Sequence, residues 1–176
     1  MKTIVLLTAY FFMMNSIIIF DFTKGVDARK WQVVNDDVMG GVSSAKMGID
    51  KEGYGVFAGH VSLDNNGGFS SVRYVAGTTG IKGYSKFVIN LKGDGKPFQF
   101  RVKSASNTYY SYYFNFETTG QWQKIKIPFN KMTPSFRGRD LDMANFSGEY
   151  LEEIGFLIGN KKEEDFKLMI DNIGIE

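Results

Sequence analysis

Phe98-Gln99-Phe100-Arg101-Val102-Lys103 alternates apolar and polar side chains at every position. A period of two places Phe98, Phe100 and Val102 on one face of an extended chain and Gln99, Arg101 and Lys103 on the other. This pattern describes a strand buried on one side only, the usual state of an antiparallel sheet with one face on a core. The same pattern recurs on both sides. Phe87, Ile89 and Leu91 alternate with Lys86, Val88 and Asn90. Ile125, Ile127 and Phe129 alternate with Lys124, Lys126 and Pro128, and Phe166, Leu168 and Ile170 with Asp165, Lys167 and Met169. Turn residues separate these runs: Asp50-Lys51-Glu52-Gly53, Asn65-Asn66-Gly67-Gly68, Gly93-Asp94-Gly95, Thr118-Thr119-Gly120 and Lys161–Asp165. Asn66-Gly67 and Gly93-Asp94-Gly95 read as hairpin turns. The count comes to about nine or ten antiparallel strands, spaced as in an all-β sandwich or barrel. A helix is expected only at the margins, as a single turn near Leu151–Ile154, and 131–149 reads as the longest irregular segment.

Composition agrees with this fold class and narrows the chemistry. Of 176 residues, 43% are hydrophobic and 15% aromatic, with 16 Phe and 9 Tyr, enough to fill a core. There is no Cys, which excludes disulfides, thiol nucleophiles and thiolate metal sites. One His, His60, leaves little for multi-His metal binding or imidazole acid–base work. No cofactor or metal site is expected. The 21 basic residues face 19 acidic ones without a long basic run, so nucleic acid is not an expected partner. No Gly-x-Ser-x-Gly elbow or phosphate loop occurs, and the chain reads as a non-enzyme.

Lys2 precedes an apolar run from Ile4 to Met14, the pattern of a secretory signal peptide or membrane leader over 1–16. No small-x-small cleavage site follows it. An exported or membrane-associated protein is expected, with a cytoplasmic one as the alternative. Residues 17–176 form one domain with no internal linker.

Four polar clusters stand out as candidate sites. Asn35-Asp36-Asp37-Val38-Met39-Gly40-Gly41 follows the strand of Trp31 and reads either as a capped tight loop or as the polar rim of a binding site. Asn66-Gly67-Gly68-Phe69 leads to Arg73, which would need a carboxylate such as Asp36 or Asp37 if it pointed inward. In the run from Tyr109 to Phe116, Tyr110, Tyr112, Phe114 and Phe116 share one face. Tyr109, Ser111, Tyr113 and Asn115 share the other and, with Arg101, suit a concave binding face. Arg137-Gly138-Arg139 offers two guanidinium groups to an anion, or anchors its loop.

Taken in order, these clusters resemble the complex I intermediate-associated protein family, in the form of its bacterial single-domain members. The resemblance rests on Trp31 to Ser44, Phe57-Ala58-Gly59, Asn66 to Arg73, Gly93-Asp94-Gly95 and Gln99-Phe100-Arg101. It continues through Trp122 with Ile127-Pro128-Phe129, Arg137-Gly138-Arg139 and Phe166 to Asp171. It implies a galactose-binding-like jelly-roll β-sandwich and an assembly-factor or chaperone-like role toward a respiratory protein complex. The resulting expectation is a protein-binding module that uses Trp31, Asn35, Asp36, Asp37, Met39, Gly40, Gly41, Asn66, Phe69, Arg73, Arg101, Tyr113 and Arg137. The expected partner is a protein, such as a membrane-complex subunit. A carbohydrate-binding module of the galactose-binding-like class is the alternative.

Overall fold

The computed structural model describes residues 16–176. The leader expected over 1–16 lies outside the described residues except for Ser16. Thirteen strands, numbered in chain order, form two antiparallel sheets. The six-stranded sheet runs β3 (Ser44–Ile49), β4 (Gly55–Val61), β13 (Glu164–Ile175), β6 (Lys86–Lys92) and β9 (Gln123–Pro128), with β1 (Ile17–Asp21) also paired to β13. The seven-stranded sheet runs β11 (Arg139–Asp140), β10 (Thr133–Phe136), β8 (Ser111–Phe116), β7 (Phe98–Lys103), β12 (Tyr150–Ile158), β5 (Ser70–Gly80) and β2 (Trp31–Asn35). The two pack face to face as a jelly-roll sandwich.

The period-two residues meet where the sequence places them. Phe98, Phe100 and Val102 are buried, as are Phe87, Ile89 and Leu91, and Phe166, Leu168 and Ile170. Each fully buried Phe contributes about 1.5–3 kcal/mol of transfer free energy. The core is markedly aromatic. Phe87 meets Phe100 edge-on at 5.0 Å between centroids, and Phe100 meets Phe156 at 5.4 Å.

Three sequence expectations change. Gly93–Gly95 and Asn65–Gly68 are not hairpins: each carries the chain from one sheet to the other, between β6 and β7 and between β4 and β5. The residues that supply tight turns serve equally for these arches. Gly93 is needed because a Cβ there would lie 2.4 Å from the Thr118 hydroxyl oxygen of the neighbouring arch. The stretch Leu151–Ile154 is extended, part of β12, because it lies between two partner strands that satisfy its backbone groups. The segment 131–149 contains the hairpin β10–β11. Its two turn residues, Arg137 and Gly138, have φ of 50° and 75°, the left-handed values of a type I′ turn.

Candidate functional site

Strand register across the seven-stranded sheet builds a continuous outer face. Gln32, Arg73, Gly155, Arg101, Tyr113 and Thr133 lie opposite one another on successive strands. The next row on one side is Ser71, Leu157, Gln99 and Asn115, and on the other Val75, Glu153 and Lys103. The alternate residues, among them Val72, Phe156, Phe100 and Phe114, point into the core. Apart from Gln32, Thr133, Asn115 and Val75, the residues of these rows line a groove of about 610 Å³. The Asn66–Phe69 arch borders it at one end and the Phe136–Gly138 turn at the other, with Tyr109 and Lys161 also on the rim.

Arg101 is the best-anchored cation in the groove. Its Nη1 donates to Gln99 Oε1 at 2.8 Å and its Nη2 to Ser111 Oγ at 2.9 Å, and its guanidinium lies over the Tyr113 ring at 5.7 Å from the centroid. Burial, followed by the charge of Arg73, lowers its pKa, while Tyr113 and Glu153 oppose this. The Tyr113 hydroxyl donates to Asp140 Oδ1 at 2.9 Å. Burial, then that hydrogen bond, pushes the Tyr113 phenol above its ordinary value. Arg137 sits at the turn tip with its guanidinium 5.2 Å from the Phe136 ring centroid.

The candidate residues therefore divide. Asn66, Phe69, Arg73, Arg101, Tyr113 and Arg137 line the groove. Trp31 is in the core, 3% exposed and stacked on Tyr74 and Phe156. Asn35 accepts a hydrogen bond from the Ser70 hydroxyl, which ties β2 to β5. Asp36 is 1% exposed. Its carboxylate accepts from the Ser43 amide at 2.9 Å, the Ser43 hydroxyl at 2.5 Å, the Gly68 amide at 2.7 Å and the Phe69 amide at 3.3 Å. Burial pushes this carboxyl up, but the Ser43 hydroxyl and the three amides outweigh it and hold the pKa below its ordinary value. Asp36 is thus committed to three backbone amides and the Ser43 hydroxyl, and the ion pair considered for Arg73 does not form: Arg73 faces the groove instead. Gly41 fits because a Cβ would lie 2.4 Å from the Asp36 carboxyl carbon. Gly40 ends the turn at φ 90°, its amide donating to Asp37 O at 2.9 Å. Asp37 is exposed, and the Met39 side chain lies outside what the structure describes. Among the described side chains from Asn35 to Gly41 none lines the groove; Asp36 acts on it indirectly by fixing the Asn66–Phe69 arch.

Sequence reasoning missed Lys103, Glu153, Gly155 and Lys161. One signal was present for Gly155: an isolated glycine inside an apolar strand marks a close backbone approach, and a Cβ there would lie 2.5 Å from the Val72 carbonyl. The Asp140–Asp142 stretch gathers no metal cluster, and among the described residues no group of three potential metal ligands is present. His60 lies on the other sheet, held by Asp165 at 2.8 Å and Glu163 at 3.3 Å.

Two antiparallel sheets packed face to face define the class of jelly-roll β-sandwich domains, and solved structures share this fold. A family 11 carbohydrate-binding module from a cellulosomal cellulase of Clostridium thermocellum superposes with a TM-score of 0.66 at 19% identity, over 92% of this chain and 94% of that one. The same family 11 module in complex with a β-1,3-1,4-mixed-linked tetrasaccharide gives 0.64 at 19% identity, over 91% of this chain and 94% of that one. At this identity the likeness concerns the fold. The sequence goes further: residues 20–170 match the model of the Complex I intermediate-associated protein 30 family, and the chain belongs to that family. It is 26% identical to the mitochondrial Complex I intermediate-associated protein 30 of Mus musculus over 90% of this chain, and 27% identical to that of Drosophila melanogaster over 90%. It spans 55% and 62% of the length of those two relatives.

Proposed function

We propose that this protein is a non-catalytic binding module that holds a segment of another protein in the groove over β5, β12, β7 and β8, as an assembly factor for a membrane-bound respiratory complex. The observation that carries this reading is the in-register row Arg73, Gly155, Arg101 and Tyr113, a polar floor built on a rigid sheet in a family whose named relatives are complex I intermediate-associated proteins. Rigid strands hold a binding face with little ordering cost when the partner docks. Export or membrane association follows the expected leader and belongs to the same proposal.

A second reading has its own support. The solved structures of similar fold include carbohydrate-binding modules, and Tyr109 and Tyr113 present rings beside the hydrogen-bonding groups of Gln99 and Arg101. Crosslinked capture from native cells, with soluble, membrane and exported fractions kept apart, separates the two. A membrane-complex subunit captured by the parent and lost in a Tyr109→Ala, Tyr113→Ala variant with an unchanged melting curve supports the protein-binding reading. Capture of no protein, together with glycan binding that the same variant loses, overturns it in favour of carbohydrate.

A further inference from the structure

The groove gathers the excess positive charge of the chain into one place. The full sequence carries a net charge of +2, yet five cationic side chains and two carboxylates line this one groove. One carboxylate, Asp140, accepts the Tyr113 hydroxyl, and the other, Glu153, stands in the next row opposite Lys103. Among the described residues the salt bridges lie elsewhere, and none involves Arg73 or Arg101. Arg101 is instead oriented by neutral groups, Gln99, Ser111 and the Tyr113 ring, which fix its fork without neutralising it. Arg73 and Arg101 flank Gly155, so their α-carbons stand about 10 Å apart, two strand spacings. Gly155 carries no side chain to fill the space between them. Two like charges held this close repel each other, and the neighbouring Arg73 charge adds to burial in lowering the pKa of Arg101. An anion between them relieves both effects.

We infer that the partner segment held here is an extended acidic peptide, one carboxylate of which is gripped by Arg73 and Arg101 above Gly155. The inference rests on the protein-binding reading given above. The geometry suits such a segment. From β5 to β10 the floor crosses four strand spacings, roughly 19 Å, which an extended peptide of about six residues spans. A guanidinium fork matches a carboxylate with two parallel hydrogen bonds. Phe69 at one end and Phe136 at the other offer apolar contact to flanking side chains.

The test uses the full chain and a fluorescein-labelled hexaglutamate peptide, followed by anisotropy at low ionic strength, with hexaglutamine as the neutral control. Hexaglutamate binds and hexaglutamine does not, and added salt weakens the binding. Arg73→Gln and Arg101→Gln each lower the affinity about ten- to a hundredfold, whereas Lys126→Gln on the opposite sheet leaves it unchanged. Should Arg101→Gln fail to fold, Arg73→Gln at the half-exposed end of the row decides the matter. The inference is overturned if hexaglutamate does not bind, if the Lys126 variant loses as much as the Arg variants, or if polygalacturonate binds in an Arg73-dependent way while the peptide does not. The two proposals fail differently. A captured protein partner that is lost in the Tyr109, Tyr113 variant but retained by Arg73→Gln and Arg101→Gln leaves the protein-binding groove standing and removes the acid clamp.

Discussion

Two polar stretches of this chain look alike in sequence and end in opposite places. Asn35–Gly41 is rich in amide, carboxylate and glycine, as binding loops are. Its Asp36 carboxylate turns inward and collects four hydrogen bonds under an arch. Gln99, Arg101 and Lys103 stand as alternate members of an ordinary amphipathic strand, and they turn outward to form the floor of a groove. The difference lies in what the surrounding backbone requires. The arch brings the amides of Ser43, Gly68 and Phe69 together away from water, and a single carboxylate satisfies them at once. On β7 the ladders on both sides pair the backbone from Gln99 to Val102, so its outward side chains are not needed to satisfy it.

The largest effect that tests this comparison comes from Asp36→Ala. It leaves buried amides without an acceptor and lowers stability by about 3 kcal/mol or more, read by urea unfolding. An unchanged midpoint would remove Asp36 from the framework. Next is Gly41→Ala, which places a Cβ against that carboxylate and costs about 1–3 kcal/mol. In the Asp36→Ala background the same change costs less, because the carboxyl atoms 2.4 Å away are gone and only the Cβ of residue 36 at 2.9 Å remains, and a double-mutant cycle measures the coupling. Acid then probes the charge itself. The depressed pKa of Asp36 means its contribution is complete above the ordinary value of 3.8 and is lost as pH falls through the lower folded value. The stability gap between the parent and Asp36→Asn is therefore full at neutral pH and closes on acidification below that value. A gap that widened in acid would contradict the assignment. The smallest effect on folding belongs to the outward region: Arg73→Gln shifts stability by no more than about 0.5 kcal/mol while weakening groove binding. A large loss of stability there would reveal an inward role for Arg73.

The sandwich was legible because alternation of Phe98, Phe100 and Val102 with polar residues is a local property of the chain. The groove was legible in part for the same reason: Arg101, Tyr113 and Ser111 fall on one face by counting in twos. Register was not legible. Nothing near Glu153 or Gly155 says that β12 lies between β5 and β7, since that pairing joins residues far apart in sequence. Arches and hairpins also draw on the same residues, so Asn66-Gly67 and Gly93–Gly95 looked like hairpins although their strands lie in different sheets. The carboxylate of Asp36 was noticed, but its donors come from positions 43, 68 and 69, which only the folded arch assembles.

The strand β13 has a further consequence for how the domain is made. It pairs with β4 and β6, and β1 adds to it, so the six-stranded sheet has its middle in Glu164–Ile175, which follows every other strand of that sheet in sequence. Until β13 has been made, β4, β6 and β1 lack the neighbour that joins them, and their edges stay open to other chains. The native sandwich closes only once β13 is in place, and the wait for that strand is an interval in which the open edges need protection from aggregation.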